Sequence, residues 1–174
     1  MKKALICLSA ALLMAACGPN RDKEVKAIEQ HEQSLSTIDI SSDDTEALQM
    51  VELYAQFAND FPEDSLAPVF LMRGADLNIN LGNTDEAIKM LNTIIEQYPG
   101  FEDLGGCFFL KGYAYESAEQ YDQAREAYTY FVENYPEHDL AADTRAVLPY
   151  LGMTPEDMFD AIMNSANDKN LAQN

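Results

Sequence analysis

The sequence is poor in the residues from which disulfide frameworks, metal sites and phosphate-binding loops are built. Its 174 residues include three Cys, two His and eight Gly. So few Cys and His leave little material for a disulfide scaffold or a His-rich metal site. No Gly-rich phosphate loop, nucleophile elbow or Cys–His signature occurs in the sequence. We therefore expect a protein that is not an enzyme, with no cofactor, no bound metal and no small-molecule substrate.

Positive charge is also scarce, with 11 Lys and Arg against 30 Asp and Glu, a formal net charge of −19. Such a surface repels phosphate backbones, which argues against nucleic acid as a partner. The hydrophobic and charged fractions, 47% and 24%, are ordinary for a soluble globular domain. Two interpretations of the acidity stay open at this stage. The carboxylates either occupy helix starts and solvated helix faces, or form a recognition surface for a basic partner.

A short apolar run follows two Lys at the start of the chain. Residues 4–16 are almost wholly apolar, but a bilayer about 30 Å thick needs roughly 20 such residues. The run instead has the length of the apolar region of a secretory signal peptide. Ala15 and Ala16 stand immediately before Cys17. This arrangement resembles the lipobox of bacterial lipoproteins, in which cleavage occurs before a Cys that is acylated.

The resemblance implies a signal peptide over residues 1–16, then a lipid-anchored Cys17 and a short tether over residues 17–24. Gly18 rather than Asp follows the Cys, which in the lipoproteins it resembles favours the outer membrane. The expected location is thus the envelope of a Gram-negative bacterium, on the periplasmic side of the outer membrane. The alternative is an ordinary signal peptide cleaved after Ala16, which leaves Cys17 as a free thiol.

A repeat of 37 residues organises the rest of the chain. An aromatic residue followed by Pro recurs at this interval in Phe61-Pro62, Tyr98-Pro99 and Tyr135-Pro136. Apolar residues recur before each Pro at i, i+3, i+4 and i+7, which predicts an amphipathic helix. The residues superimposed by the same shift are Tyr54, Leu91 and Tyr128; Phe57, Ile94 and Phe131; and Ala58, Ile95 and Val132.

Start and stop signals divide this pattern into about eight helices. Asn83 with Glu86 three residues later resembles a capping box, and Asp64 and Ser65 offer cap oxygens for the helix before it. The helical domain is expected over residues 25–163, followed by a flexible polar tail over 164–174. The predicted helices span 21–37, 43 or 44 to 61, 65–81, 83–97, 104–118, 121–134, 138–151 and 154–163.

The spacing of aromatic, small and Pro residues in each pair of helices resembles the tetratricopeptide repeat. The pattern consists of Phe108, Gly112, Tyr115, Tyr121, Ala124, Tyr128 and Pro136. The preceding repeat departs from it at Ala75, where the family has Gly, and at Asn78, where it has Tyr. The resemblance implies an all-α, tetratricopeptide-repeat-like solenoid of antiparallel helix pairs.

In this family the first helix of each pair lines a concave groove, so the resemblance also implies a binding surface. Its mixture of aromatic, aliphatic and charged side chains suits a peptide or an amphipathic segment. The alternative is that some of these side chains pack under the terminal helix. The groove residues implied are Met72, Arg73, Asp76, Ile79 and Asn80 in one repeat and Phe109, Leu110, Tyr113, Glu116 and Ser117 in the next.

Lengthened repeats with an aromatic-Pro pair after the second helix resemble the periplasmic lipoproteins related to the D subunit of the outer-membrane β-barrel assembly machine. The resemblance implies a lipid-anchored, protein-binding adaptor in outer-membrane protein assembly. The alternative is a coordinator of peptidoglycan or polysaccharide enzymes in the cell envelope. In both cases the expected partner is another protein or a peptide segment.

The few residues with catalytic potential have structural interpretations. His31 lies on a polar helix and His138 lies near a helix start, where surface or capping roles are usual. Cys107 stands beside two Phe residues, which predicts a buried, inert thiol. With Cys17 acylated, Cys107 has no expected disulfide partner.

Overall fold

The computed structural model describes residues 18–35 and 44–171, in which the chain forms eight α-helices and one short 3₁₀-helix and no strand. The all-α prediction is therefore confirmed. The expectations for Cys17 and the signal peptide lie outside the described residues. The helices are α1 Arg21–Leu35, α2 Asp44–Asp60, α3 Leu66–Asn80, α4 Thr84–Gln97, α5 Leu104–Ser117, α6 Tyr121–Asn134, α7 Ala141–Val147 and α8 Pro155–Leu171, with the 3₁₀-helix Leu148–Tyr150 between the last two.

Consecutive helices pack against each other along the chain, as expected for a solenoid of helix pairs. The closest packing joins α2 to α3, α3 to α4 and α5 to α6, while α1 packs on α2 and α4 packs on α5. The two first helices α3 and α5 also touch each other directly. In the described part of the chain, no helix is long and apolar enough to cross a membrane.

The 37-residue repeat places three buried residues at each junction between successive helix pairs. Two come from the second helix of one pair and one comes from the first helix of the next. All nine are less than about a tenth exposed, so the periodic positions form the core. Junction one consists of Tyr54, Phe57 and Phe70, junction two of Leu91, Ile94 and Cys107, and junction three of Tyr128, Phe131 and Thr144.

Close approach of two helices requires a Gly at one repeat position. A Cβ atom built on Gly112 would overlap the ring of Tyr128, whose Cγ would lie only 2.8 Å away. In the preceding repeat the equivalent residue is Ala75, opposite the smaller Leu91, and its methyl group is fully buried. Ala75 can replace the Gly of the family pattern because the smaller Leu91 opposite it leaves room for a methyl group.

Two of the residues expected to cap helices, Asn83 and Ser65, make no side-chain cap bond. Asn83 makes no side-chain cap bond; its amide instead donates to Asn78 Oδ1 at 3.3 Å. Of the two residues expected to offer cap oxygens to α3, Ser65 makes no side-chain cap bond, whereas Asp64 Oδ1 accepts from the Leu66 N–H at 2.9 Å as expected. For Asn83, the nearby Asn78 oxygen competes for the side chain that the local pattern assigned to the cap.

The helices near the C-terminus also differ from the expected boundaries. A single helix over 138–151 is wrong: α7 begins at Ala141, and a 3₁₀ turn replaces its last part. Pro149 lies in that turn because it has no N–H for an α-helical bond. The last helix begins as expected, with Thr154 Oγ1 accepting from the Asp157 N–H at 3.2 Å. It continues to Leu171 rather than ending at Met163, because no Gly or Pro interrupts it.

Candidate protein-binding groove

An open cavity of about 680 Å³ runs along the first helices of the pairs. Its walls come from α1, α3 and α5 and from the turns before α5 and α7, with one side chain from α2. Apolar side chains predominate, and charged groups stand among them. The lining residues are Glu32, Tyr54, Val69, Met72, Arg73, Asp76, Leu77, Phe101, Asp103, Gly106, Phe109, Leu110, His138 and Leu140. We call this cavity the groove.

Five of the ten groove residues expected from the sequence line it together. They come from two helices and occupy matching positions in the repeat, because α3 and α5 turn the same face inward. These residues are Met72, Arg73 and Asp76 of α3 and Phe109 and Leu110 of α5.

Two further expected residues line a smaller cavity beside the groove. Tyr113 and Glu116 border a space of about 260 Å³ that shares Phe109 and Leu140 with the groove. Glu116 is not free to meet a ligand with its full charge, because Tyr128 Oη donates to its Oε2 at 2.7 Å.

The remaining three expected residues do not line either cavity. Ile79 is only 6% exposed and packs in the core between α3 and α4, so its expected place in the groove is wrong. It lies four residues after the buried Ala75 and eight after the buried Leu71, on the stripe of α3 that packs against α4. Asn80 and Ser117 are exposed at the ends of their helices.

Sequence reasoning missed the part of the groove that comes from the first helix pair and from the turns. Glu32 and Tyr54 belong to α1 and α2, which carry no complete repeat pattern. Phe101 and His138 each lie two residues after the repeat Pro. That recurring position was the signal available in the sequence, since each such turn leads into the first helix of the next pair.

A polar bridge joins α1 to the groove wall. Glu32 Oε1 accepts from Arg73 Nη1 at 2.5 Å and from Tyr54 Oη at 2.7 Å. The guanidinium also lies over the Phe70 ring, with Cζ 5.8 Å from its centroid. Burial first, and then the Glu32 carboxylate, raise the pKa of Tyr54 well above its usual value, so its hydroxyl remains a donor. The positive charge of Arg73 is therefore already paired.

A second polar pair closes the opposite end of the groove. Asp103 Oδ1 accepts from the Gly106 N–H at 3.0 Å and caps α5. The same oxygen lies 3.2 Å from His138 Nε2. Because the Leu140 N–H donates to His138 Nδ1, the ring proton lies on Nε2 and is donated to Asp103. His138 thus positions a turn, in line with its expected capping role.

The other residues with catalytic potential lie away from the groove lining. Cys107 is fully buried in the core, and burial, followed by the charge of Asp103, raises the pKa of its thiol to about 12. The expectation of a buried thiol is confirmed. His31 is exposed on α1 and bonds to the Ala27 carbonyl oxygen at 2.9 Å. Within the described residues, no group of three or more His, Cys, Asp or Glu side chains could hold a metal ion.

A second apolar surface lies on α8. This helix makes few contacts with the rest of the described chain. Its exposed apolar side chains follow a helical spacing and are flanked by carboxylates. They are Met158, Phe159, Ile162 and Met163.

A sequence model of the tetratricopeptide repeat matches residues 70–100 and 107–138. No curated protein and no solved structure matches the chain. The two matches cover most of α3–α4 and of α5–α6, including the inner faces that contribute five groove residues. Together with the all-α stack of helix pairs, they show two consecutive segments similar to the tetratricopeptide repeat within residues 70–138.

Proposed function

We propose that this chain is a protein-binding adaptor of the cell envelope, anchored by lipid at Cys17, that captures a segment of its partner in the groove. Tetratricopeptide repeats support a protein-binding role in general. The observation that carries this proposal is the open, mainly apolar groove of about 680 Å³. A cavity of this size and lining suits the side chains of a peptide segment.

The first helix pair supports an anchored arrangement. α1 begins at Arg21, four residues after the proposed lipidated Cys. It is held to the body by the buried Ile28 and by the ion pairs Arg21–Asp64 and Arg73–Glu32. Because one of these pairs lies at the groove wall, a tether pulling on α1 would act on the element that borders the binding surface.

Two envelope roles follow from the resemblance to lipoproteins, and the partner's identity separates them. The first is outer-membrane protein assembly, and the second is coordination of peptidoglycan or polysaccharide enzymes. We favour the first, because the lengthened repeats with their aromatic-Pro turns resemble the lipoproteins of barrel assembly. Binding without catalysis is part of the proposal in both cases.

Site-specific photocrosslinking in cells tests the groove. A photoreactive amino acid placed at Met72 or Leu110 is expected to capture a partner. The same amino acid at Lys89 of α4 or Glu133 of α6, which are exposed outside the groove, is the matched control. Equal capture from groove and control positions would place the interface elsewhere. Barrel-assembly components among the captured proteins would support the first role, and cell-wall enzymes the second.

Labelled fatty acid tests the anchor separately. We expect the wild-type chain to incorporate the label and the Cys17→Ser variant to lose it. The Cys7→Ser variant is the control, since Cys7 lies inside the expected signal peptide. An unlabelled wild-type chain would contradict the lipid anchor and leave the groove proposal standing.

A further inference from the structure

Most of the charged groups on the groove wall already have a hydrogen-bond or ion-pair partner within the protein. Arg73 and Glu32 neutralise each other at 2.5 Å. The Asp103 carboxylate accepts hydrogen bonds from the Gly106 N–H and from His138 Nε2. Each of these groups already has a partner within the protein, so a ligand would gain little net charge interaction from them.

Asp76 is the exception. It lies on α3 one helical turn after Met72 and Arg73, and it borders the groove. Its side chain is exposed, and within residues 18–35 and 44–171 it makes no hydrogen bond and no ion pair. It therefore presents an uncompensated negative charge beside apolar side chains.

The surrounding charge has the same sign. The chain carries a formal net charge of −19, and the nearest groove cation, Arg73, is held by Glu32. An acidic segment that enters the groove would lose its hydration without gaining a free cation. A basic side chain would meet Asp76 and be attracted during approach by the field of the whole molecule.

The apolar part of the lining constrains the rest of the ligand. Val69, Met72 and Leu77 of α3 line the same cavity as Phe109 and Leu110 of α5. Polar side chains buried here would lose hydrogen bonds to water, whereas aliphatic or aromatic side chains would gain from burial. The lining therefore favours apolar side chains next to a single cation.

We propose that the groove binds an apolar protein segment that carries a Lys or Arg side chain, and that this side chain pairs with Asp76. The inference rests on the proposed function and adds the chemistry of the partner. A second copy of this chain is a poor occupant, because the exposed apolar face of α8 is flanked by Glu156, Asp157 and Asp160 and would bring like charge to Asp76.

Three matched pools of fluorescent 12-residue peptides provide the test. Their outer positions are a common mixture of Leu, Phe, Ser and Gly, and the central residue is Lys, Gln or Glu. Each pool is titrated with the purified full-length chain, and binding is followed by anisotropy. We expect the Lys pool to bind about tenfold more tightly than the Glu pool at low salt, with a smaller ratio at high salt because exposed charges are screened.

Variants separate Asp76 from the general acidity of the chain. Asp76→Asn should reduce the ratio between the Lys and Gln pools to less than about twofold, and Asp76→Lys should reverse the preference toward Glu. Glu133→Gln on α6 removes the same charge outside the groove and should leave the ratio nearly unchanged. Analytical ultracentrifugation of the chain with and without the Lys pool reports a second copy, and self-association at micromolar concentration that the peptides reverse would overturn the assignment.

The outcomes distinguish this inference from the proposed function. Equal binding of the Lys and Glu pools, or a ratio that Asp76→Asn does not change, would overturn the role of Asp76 and leave the groove as a peptide site. Failure of all three pools to bind would overturn both.

Discussion

Junctions one and two occupy the same positions of the repeat, yet they are filled with different side chains. Junction one is aromatic: the Phe70 ring packs 5.4 Å from Tyr54 and 4.9 Å from Phe57. Junction two is aliphatic and contains the fully buried Cys107 where junction one has Phe70. Both are closed to solvent. The repeat therefore determines which positions are buried, while the size of the side chain at each position depends on the neighbours it packs against.

Four residues after the junction residue, the first helix carries a different side chain in the two pairs. Gly74 lies where its missing side chain leaves room for Met90 Sδ and the Tyr54 Cβ. The equivalent residue in the next pair is Lys111, whose Nζ donates to Asn92 Oδ1 at 2.8 Å. Burial lowers the pKa of Lys111. A bulky junction residue is thus accompanied by a Gly, and a smaller one by a long side chain.

The largest expected effect comes from emptying the two junctions. Phe70→Ala should lower the free energy of unfolding by about 3–5 kcal/mol, because it leaves a cavity among packed rings. Cys107→Ala should lower the free energy of unfolding by only about 1 kcal/mol, since the buried Sγ is the one heavy atom removed. Urea denaturation of both variants measures the difference. Equal losses would mean that junction one collapses around the cavity and is not held by its aromatic packing.

A smaller effect compares junctions one and three. Each contains a Tyr whose hydroxyl donates to a Glu on the first helix of its own pair, Tyr54 to Glu32 and Tyr128 to Glu116, both at 2.7 Å. Tyr128→Phe should cost about 1–2 kcal/mol, because it leaves Glu116 without its protein partner. Tyr54→Phe should cost about 0.5–1 kcal/mol, since Arg73 still pairs with Glu32.

Chemical denaturation at neutral pH measures both substitutions. Tyr130→Phe is the control, because Tyr130 is 46% exposed and should lose nothing measurable. If Tyr54→Phe were the more destabilising variant, the polar bridge at the groove wall would depend on the hydroxyl rather than on Arg73.

The smallest effect concerns the attachment of α1 beside junction one. The hydrogen bond from Arg21, and then the Leu66 N–H, lower the pKa of Asp64 below its ordinary value. This contribution is present above about pH 4, near the pKa of the unfolded chain, and is lost as pH falls through the lower folded value. Asp64→Asn should remove at most about 1 kcal/mol at pH 7.

Hydrogen exchange of the α1 amides follows this attachment. The wild-type chain should exchange faster as pH falls below about 4, after correction for the intrinsic rate, whereas Asp64→Asn should show no such step. Asp22→Asn is the control, because Asp22 forms only an exposed contact of 3.4 Å with Arg21. A step that persists in Asp64→Asn would assign the pH dependence to another carboxylate.

Most of the helical architecture was predictable from the sequence because the burial pattern repeats. The 37-residue interval located Phe57, Ile94 and Phe131, and all three are fully buried. Helix ends were predictable where a Pro or Gly interrupts the chain. Helix caps were less predictable, because the Asn83 amide bonds to Asn78 and Asp64 rather than Ser65 accepts from the Leu66 N–H.

The groove was predictable in part. α3 and α5 share one repeat pattern, so five of their residues were placed on the groove together. The contribution of Glu32 and Tyr54 was not predictable, because it depends on how α1 packs on α2 across a connection that carries no repeat. Ile79 was misplaced because it follows Ala75 by four residues and Leu71 by eight, so it belongs to the buried stripe of α3 and not to the groove face.

The sequence by itself determined that this protein is an acidic stack of helices with a periodic core, because amphipathic spacing and Pro boundaries act locally. Only the tertiary structure decided which charged side chains are paired within the protein. It pairs Arg73 with Glu32 and His138 with Asp103 through contacts between residues 41 and 35 positions apart. It leaves Asp76 unpaired within the described chain, and the distribution of free charge along the groove follows from that packing.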